Sequence, residues 1–257
     1  MRTHYAAILL PALVLAAFPS AHAHFPILIH DAAMGATNGT VTVTYAAGHP
    51  FELDMEPAAK PERLLYLDGR GQATNLTASL QATWFRGDTN AGAWQPRLEP
   101  TRGDGLLALD SAASVDASQK TLYREYVKVC LHRGRQDGWH RRTGQPLEIV
   151  PLTRPYGLRP GMVFTGKLMR GAAPVANTEV YFERLNDRRP DPGSLPPEPL
   201  ITFAVRTDGT GQFTVALPDP GWWVLGAYVD DLGTVRHDGK DYRLEGFAGL
   251  WLRLDPK

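Results

Sequence analysis

The stretch Ile201-Thr-Phe-Ala-Val-Arg206, Thr207-Asp-Gly-Thr-Gly211, Gln212-Phe-Thr-Val-Ala-Leu217 reads as two short strands flanking a tight turn. Apolar residues alternate along both flanks, the period of a strand with one buried face. Asp-Gly between such flanks is a hairpin signal, because glycine takes the left-handed backbone that a short turn requires. The same pattern extends outward, through Met162–Met169 and Thr178–Arg184 before the turn and Trp222–Val229 and Leu250–Leu254 after it. A proline-rich loop, Asn186 to Pro199, and an Asp/Gly loop around His237 separate these runs.

The first half carries comparable runs at Thr40–Tyr45, Arg63–Leu67, Thr77–Phe85, Gly105–Leu109 and Leu122–Leu131. In the last of these, Val127, Val129 and Leu131 share one face and Tyr126, Lys128, Cys130 and His132 the other. No segment sustains a helical period, and the 25 glycines and 21 prolines follow no repeat. Both observations indicate an all-β chain rich in turns. Residues 145–161 hold four prolines, which cannot donate to a sheet ladder, and read as an extended linker. The expected architecture is therefore two consecutive β-sandwiches, residues 24–150 and an immunoglobulin- or transthyretin-like unit over 151–257.

Residues 1–23 read as a cleavable export signal. Arg2 supplies the positive start, Ala6 to Phe18 an apolar core, and Ala21-His-Ala23 the small residues of a cleavage site. That core is too short to span a bilayer, which takes about 20 apolar residues. The expected location is the periplasm or the medium, with no membrane span after cleavage at His24. Cleavage leaves 26 basic and 27 acidic residues, a balance with no electrostatic footprint for nucleic acid. The single cysteine, Cys130, cannot form an intramolecular disulfide, so packing must supply the stability.

No Gly-x-Ser-x-Gly elbow, His-Glu-x-x-His, phosphate-binding loop or Cys-x-x-Cys occurs, and the sequence neither supports nor excludes a pair of carboxylates brought together in space. Histidine is the informative residue. A chain beginning at His24 offers its α-amine and its imidazole to one metal ion, a chelate that an internal histidine cannot form. An α-amine has an ordinary pKa of about 7.7–8.0 and loses its proton readily near neutral pH. Gly48-His-Pro-Phe-Glu52 places His49 in a loop after a strand, with Glu52 as an oxygen ligand or a supporting acceptor; a solvated turn is the plainer reading.

The other histidines read more plainly still. In an extended strand, His24 and His30 would lie on one face about 20 Å apart, too far for a shared ion. Cys130 and His132 have the i, i+2 spacing of a soft-metal pair, although a lone cysteine is equally a small buried hydrophobe. His140, beside Arg141 and Arg142, and His237 read as surface-loop residues. Of Trp222-Trp223 one ring must face the core, which makes packing a better account than a carbohydrate platform.

Ala23-His-Phe, Gly48-His-Pro-Phe-Glu52, Pro146-Leu-Glu-Ile-Val-Pro-Leu-Thr153, Leu158-Arg-Pro-Gly161, Thr207-Asp-Gly-Thr-Gly-Gln-Phe213 and Pro220-Gly-Trp-Trp223 carry a family resemblance. With these elements the chain resembles the exported components of cobalt and nickel uptake systems, long described only as a domain of unknown function. The C-terminal part also resembles the carboxypeptidase-regulatory, transthyretin-like module. The resemblance implies two β-sandwiches and a non-enzymatic role in binding or delivering a divalent transition metal, nickel or cobalt. Copper and zinc suit the same nitrogen ligands. By position it carries His24, His49 and Glu52 as the metal residues, with a metal permease or outer-membrane receptor as partner. Two alternatives stand beside it. One is a copper-dependent polysaccharide oxygenase, which also uses an N-terminal histidine; the other is a metal-free adhesion or carrier module.

Overall fold

The computed structural model describes residues 24–34 and 36–256, which form strands and short 3-10 turns in three sheets. The expected export signal lies outside the described residues. The first sheet runs Phe25–His30, Val43–His49, Gly92–Gln95, Gln81–Trp84, and Asp54–Glu56 is paired onto Val43–His49. The largest sheet has ten strands. Its centre is Glu179–Arg184, Gly221–Val229, Lys240–Leu254, Thr121–Arg133, Gly103–Asp110 and Arg63–Leu67, in that spatial order. The third sheet holds Leu147–Pro151, Val163–Arg170, Ala173–Pro174 and Gln212–Ala216.

The all-β expectation holds, and the ten-stranded sheet joins the two halves of the chain. Thr121–Arg133 and Lys240–Leu254 pair in parallel, from Thr121 opposite Arg243 to Val129 opposite Trp251. The smaller sheets cover opposite faces of this shared layer. Val127, Val129, Leu131, Val224, Phe247 and Trp251 pack toward the first sheet, against Phe25, Ile27 and Tyr45. Tyr126, Leu225, Ala248, Leu250 and Leu252 pack toward the third, against Ile149, Phe164 and Phe213. Side chains alternate between faces, so a strand covered on both sides must be apolar at consecutive positions. That accounts for the nearly unbroken apolar run Phe247–Leu252.

Several expected elements take a different form. The flanks of the Thr207–Gly211 turn do not pair with each other: Phe203–Arg206 joins Glu179–Arg184 in the large sheet, and Gln212–Ala216 joins Val163–Arg170 in the third. The turn is real, since Asp208 Oδ1 accepts from the backbone N–H groups of Thr210 and Gln212. It carries the chain across the core, where Val205 and Phe213 pack in the same cluster from opposite layers. Alternation reports a buried face and is the same whether two strands share a sheet or oppose one another.

The proline-rich segment is likewise part of the structure. Leu147–Pro151 is a strand paired with Val163–Arg170, with its prolines just outside or at its end, where no ladder hydrogen bond is lost. Position 150, the expected boundary, therefore lies inside a strand. Among the described residues no helix is long and apolar enough to cross a membrane.

Candidate functional site

Antiparallel pairing puts Phe25 opposite Gly48, so His24 and His49 are the next residues across the ladder. Their rings meet edge to face, with centroids 4.5 Å apart and planes at 73°. Gly48 is necessary here. Its φ is +145°, and a Cβ would stand 2.5 Å from the carbonyl oxygen of Asp54 and 2.7 Å from Met55 Cα. Without a side chain at Gly48, Asp54–Glu56 returns close alongside, pairing His49 with Asp54 and Ala47 with Glu56. His49 is thus the last residue of a strand, where the sequence alone places it in the following loop.

The return strand delivers a carboxylate that the sequence reading misses. Glu56 Oε1 lies 3.4 Å from His24 Nδ1, with both side chains about half exposed. Nothing in the local sequence marks Glu56; only the hairpin register brings it to His24. Glu52 sits elsewhere, in the turn after His49, where Oε2 is buried without a hydrogen-bond partner among the described residues. With His49, Asp54 and Arg189 it lines a separate recess of about 450 Å³.

The turn Pro50–Leu53 is held by the second half of the chain. Phe51 N–H donates to Glu183 Oε1 at 2.9 Å, Asn186 N–H to the Pro50 carbonyl at 3.1 Å, and Arg189 to the Leu53 carbonyl at 2.6 Å. Burial raises the Glu183 carboxyl to a pKa of about 7, against the two hydrogen bonds it accepts from Phe51 and Thr202. Among the described residues no group of three or more His, Cys, Asp or Glu side chains is spaced to hold a metal ion. The site therefore offers two adjacent imidazoles. Any further nitrogen must come from the α-amine that cleavage before His24 would create.

A family model described as a domain of unknown function, DUF4198, matches residues 21–231, which include both histidines. The chain belongs to the DUF4198 family. No curated protein matches it. Among solved structures, this DUF4198 chain is similar to a DUF4785-family protein of Legionella pneumophila at 10% identity and a TM-score of 0.29, covering 86% of this chain and 55% of that one. It therefore spans about half the length of that protein. It also matches the D0-D1 domain of intimin, at 14% identity and TM-score 0.22, over 90% of this chain and 100% of that one. Dimeric latent PorU of Porphyromonas gingivalis matches at 11% identity and TM-score 0.22, over 90% and 20% of the two chains.

The other residues of the DUF4198 chain that the sequence singles out make contacts of their own, apart from the His24–His49 pair. His30 ends its strand, donates through Nε2 to the Cys130 carbonyl at 3.1 Å and meets Trp222 edge to face. Burial lowers its pKa to about 4 and raises that of the Cys130 thiol. His132 Nδ1 lies 2.7 Å from Asp104 Oδ1, and its ring stacks on Tyr156, whose hydroxyl donates to the same carboxylate. Trp223 is in the core, and Trp222 packs against the other cluster. His237 sits at the tip of the hairpin between Thr234–His237 and Lys240–Leu254.

Beside His24 opens a second recess, a cleft of about 480 Å³ between the edge of the first sheet and the shared sheet. Tyr45, Tyr123, Glu125 and Tyr228 line it together with His24 and Glu56. Tyr228 donates to the His24 carbonyl at 3.4 Å, and its ring lies nearly parallel to that of Tyr123, with centroids 6.5 Å apart. Burial raises the Glu125 carboxyl to a pKa of about 8, with the nearby charge of Glu56 adding to the shift.

Proposed function

We propose that the exported chain, cleaved after Ala23, binds a divalent transition metal, nickel or cobalt, and hands it on in metal uptake without catalysing a reaction. The carrying observation is the edge-to-face contact of His24 and His49 at 4.5 Å. Two imidazoles that adjoin across one ladder, one of them on the residue that gains a free amine, supply three nitrogen donors of the type these metals prefer. Glu56 supports the set: a carboxylate beside a ligating imidazole orients the ring and offsets the charge of the ion. Glu52, one turn away, belongs to the neighbouring recess and serves the approach to His49. The resemblance to exported components of cobalt and nickel uptake systems points the same way.

The test is calorimetric titration of Ni²⁺ and Co²⁺ into protein whose first residue is His24, alongside a form carrying one extra glycine before it. The extension turns the amine into an amide, a far poorer ligand, without touching the fold. Binding at least tenfold weaker in the extended form, and again in His49→Ala, supports the site. Equal affinity in the native and extended forms overturns it.

A further inference from the structure

The strand Gln81–Trp84 closes one side of the first sheet, and among the described residues no strand pairs with its outer side. Phe85 N–H donates to the Ala91 carbonyl at 2.8 Å, so the residues bonded toward Gly92–Gln95 are Gln81, Thr83 and Phe85. The N–H and C=O groups of Ala82 and Trp84 therefore point outward. Natural edges of this kind are usually blunted by charge, proline or a bulge, yet Gln81-Ala-Thr-Trp84 has no charged residue and no proline.

The side chains beside that edge form an apolar seat. Ala82 pairs with Trp94 and Trp84 with Gly92, so both indoles lie diagonally on one face of the sheet, with only the small Ala82 and Gly92 between them. They line a cleft of about 190 Å³ together with Ala58 and Ala93. Trp94 is held by its Nε1–H, which donates to the Ala58 carbonyl at 2.9 Å, whereas Trp84 is 52% exposed. Lys60 Nζ stands 5.7 Å from the centre of the Trp94 ring, and Arg86 follows Trp84 by two residues. Both cations are exposed, and among the described residues neither forms an ion pair.

We propose that this edge is a docking strand for an extended segment of a partner protein, with a bulky apolar residue opposite Ala82 and acidic residues on either side of it. The segment adds a strand by bonding to the free N–H and C=O groups of Ala82 and Trp84. Its residue opposite Ala82 shares a cross-strand row with Trp94, and because Ala82 is small that side chain leans between the two indoles. Burial of Trp84 and of the incoming side chain gives affinity, while Lys60 and Arg86 favour a partner carrying carboxylates over one carrying cations.

The probe is a capped peptide with phenylalanine at its centre, valine on either side and glutamate at both ends. It is titrated into protein beginning at His24 and followed by tryptophan fluorescence and amide NMR shifts. Saturable binding is expected, with a Kd of about 0.1 mM or tighter. Ala82→Pro removes an outward N–H without touching the ladder to Gly92–Gln95 and should weaken binding at least tenfold, as should Trp84→Ala. Circular dichroism establishes that each variant is folded. A peptide with lysine in place of glutamate should bind at least fivefold more weakly, and equal affinity for the two peptides overturns the acidic partner. No binding at about 1 mM peptide, or binding that survives both substitutions, overturns the docking strand. Self-association that Ala82→Pro abolishes would put a second copy of the chain on this edge and overturns the proposal as well.

Discussion

Lys128 Nζ lies 3.0 Å from Glu148 Oε2, and neither side chain is more than 1% exposed. The pair links the long strand Thr121–Arg133 of the shared sheet to Leu147–Pro151 of the third sheet. Arg142 and the backbone and hydroxyl of Thr143 complete the hydrogen bonding of the Glu148 carboxylate. Removing Glu148 leaves the Lys128 ammonium uncompensated in the core, so Glu148→Leu alone should cost about 3–5 kcal/mol, whereas Lys128→Met leaves Glu148 paired with Arg142 and should cost less. Lys128→Met combined with Glu148→Leu should recover most of that loss. Urea unfolding of the three proteins measures it, and a double variant no better than the sum of its singles would contradict the pairing.

Glu183 predicts a pH dependence of stability. Its folded pKa of about 7 lies above the ordinary value of 4.5. Between those two values the folded state holds a proton that the unfolded state releases, so this group's contribution is complete below about pH 4.5. It is lost as pH rises through 7, by ~3 kcal/mol in all. Glu183→Gln, which keeps an acceptor for Phe51 N–H, should remove that slope and be the more stable form at pH 8. Parallel stability–pH curves for the two proteins would refute the assignment.

Glu56 and Glu52 separate under substitution. Glu56 is the carboxylate beside His24, at 3.4 Å, and Glu52 lines the other recess. Glu56→Gln should weaken Ni²⁺ binding several-fold more than Glu52→Gln, because Glu56 lies against a ring nitrogen of His24 whereas Glu52 only shares a recess with His49. Calorimetric titration ranks the two, and the reverse order would shift the site toward the turn at Pro50–Leu53.

The shared sheet predicts that the second half does not fold without the first. A fragment of residues 151–257 reads from sequence as an independent unit, but Lys240–Leu254 would lose its parallel partner Thr121–Arg133. Phe247 and Trp251 would also be stripped of the first core. Burial of two such side chains is worth roughly 3–6 kcal/mol, a large part of an ordinary domain's stability. The fragment should therefore show no cooperative thermal transition by circular dichroism, while the chain from His24 does.

Local sequence determined a good deal about this protein. Alternation, turn residues and the lack of helical periodicity specify β-structure, and Arg63–Leu67 is read to the residue, because side-chain period and turn chemistry are properties of a few neighbours. His24 and His49 stand out in the sequence, one for its place after a cleavage site and the other for its glycine and proline neighbours. Tertiary structure alone decided which strands meet. The parallel pairing of Thr121–Arg133 with Lys240–Leu254 spans more than a hundred residues and leaves no local mark. The same is true of Thr207–Gly211, whose turn is legible while its crossing between layers is not. At the site, sequence spacing favoured Glu52, three residues from His49, whereas the ladder register that pairs Ala47 with Glu56 put a different carboxylate beside His24. A buried face can be read one strand at a time. What that face is buried against is set by the packing of the whole chain, where many arrangements share the same local pattern.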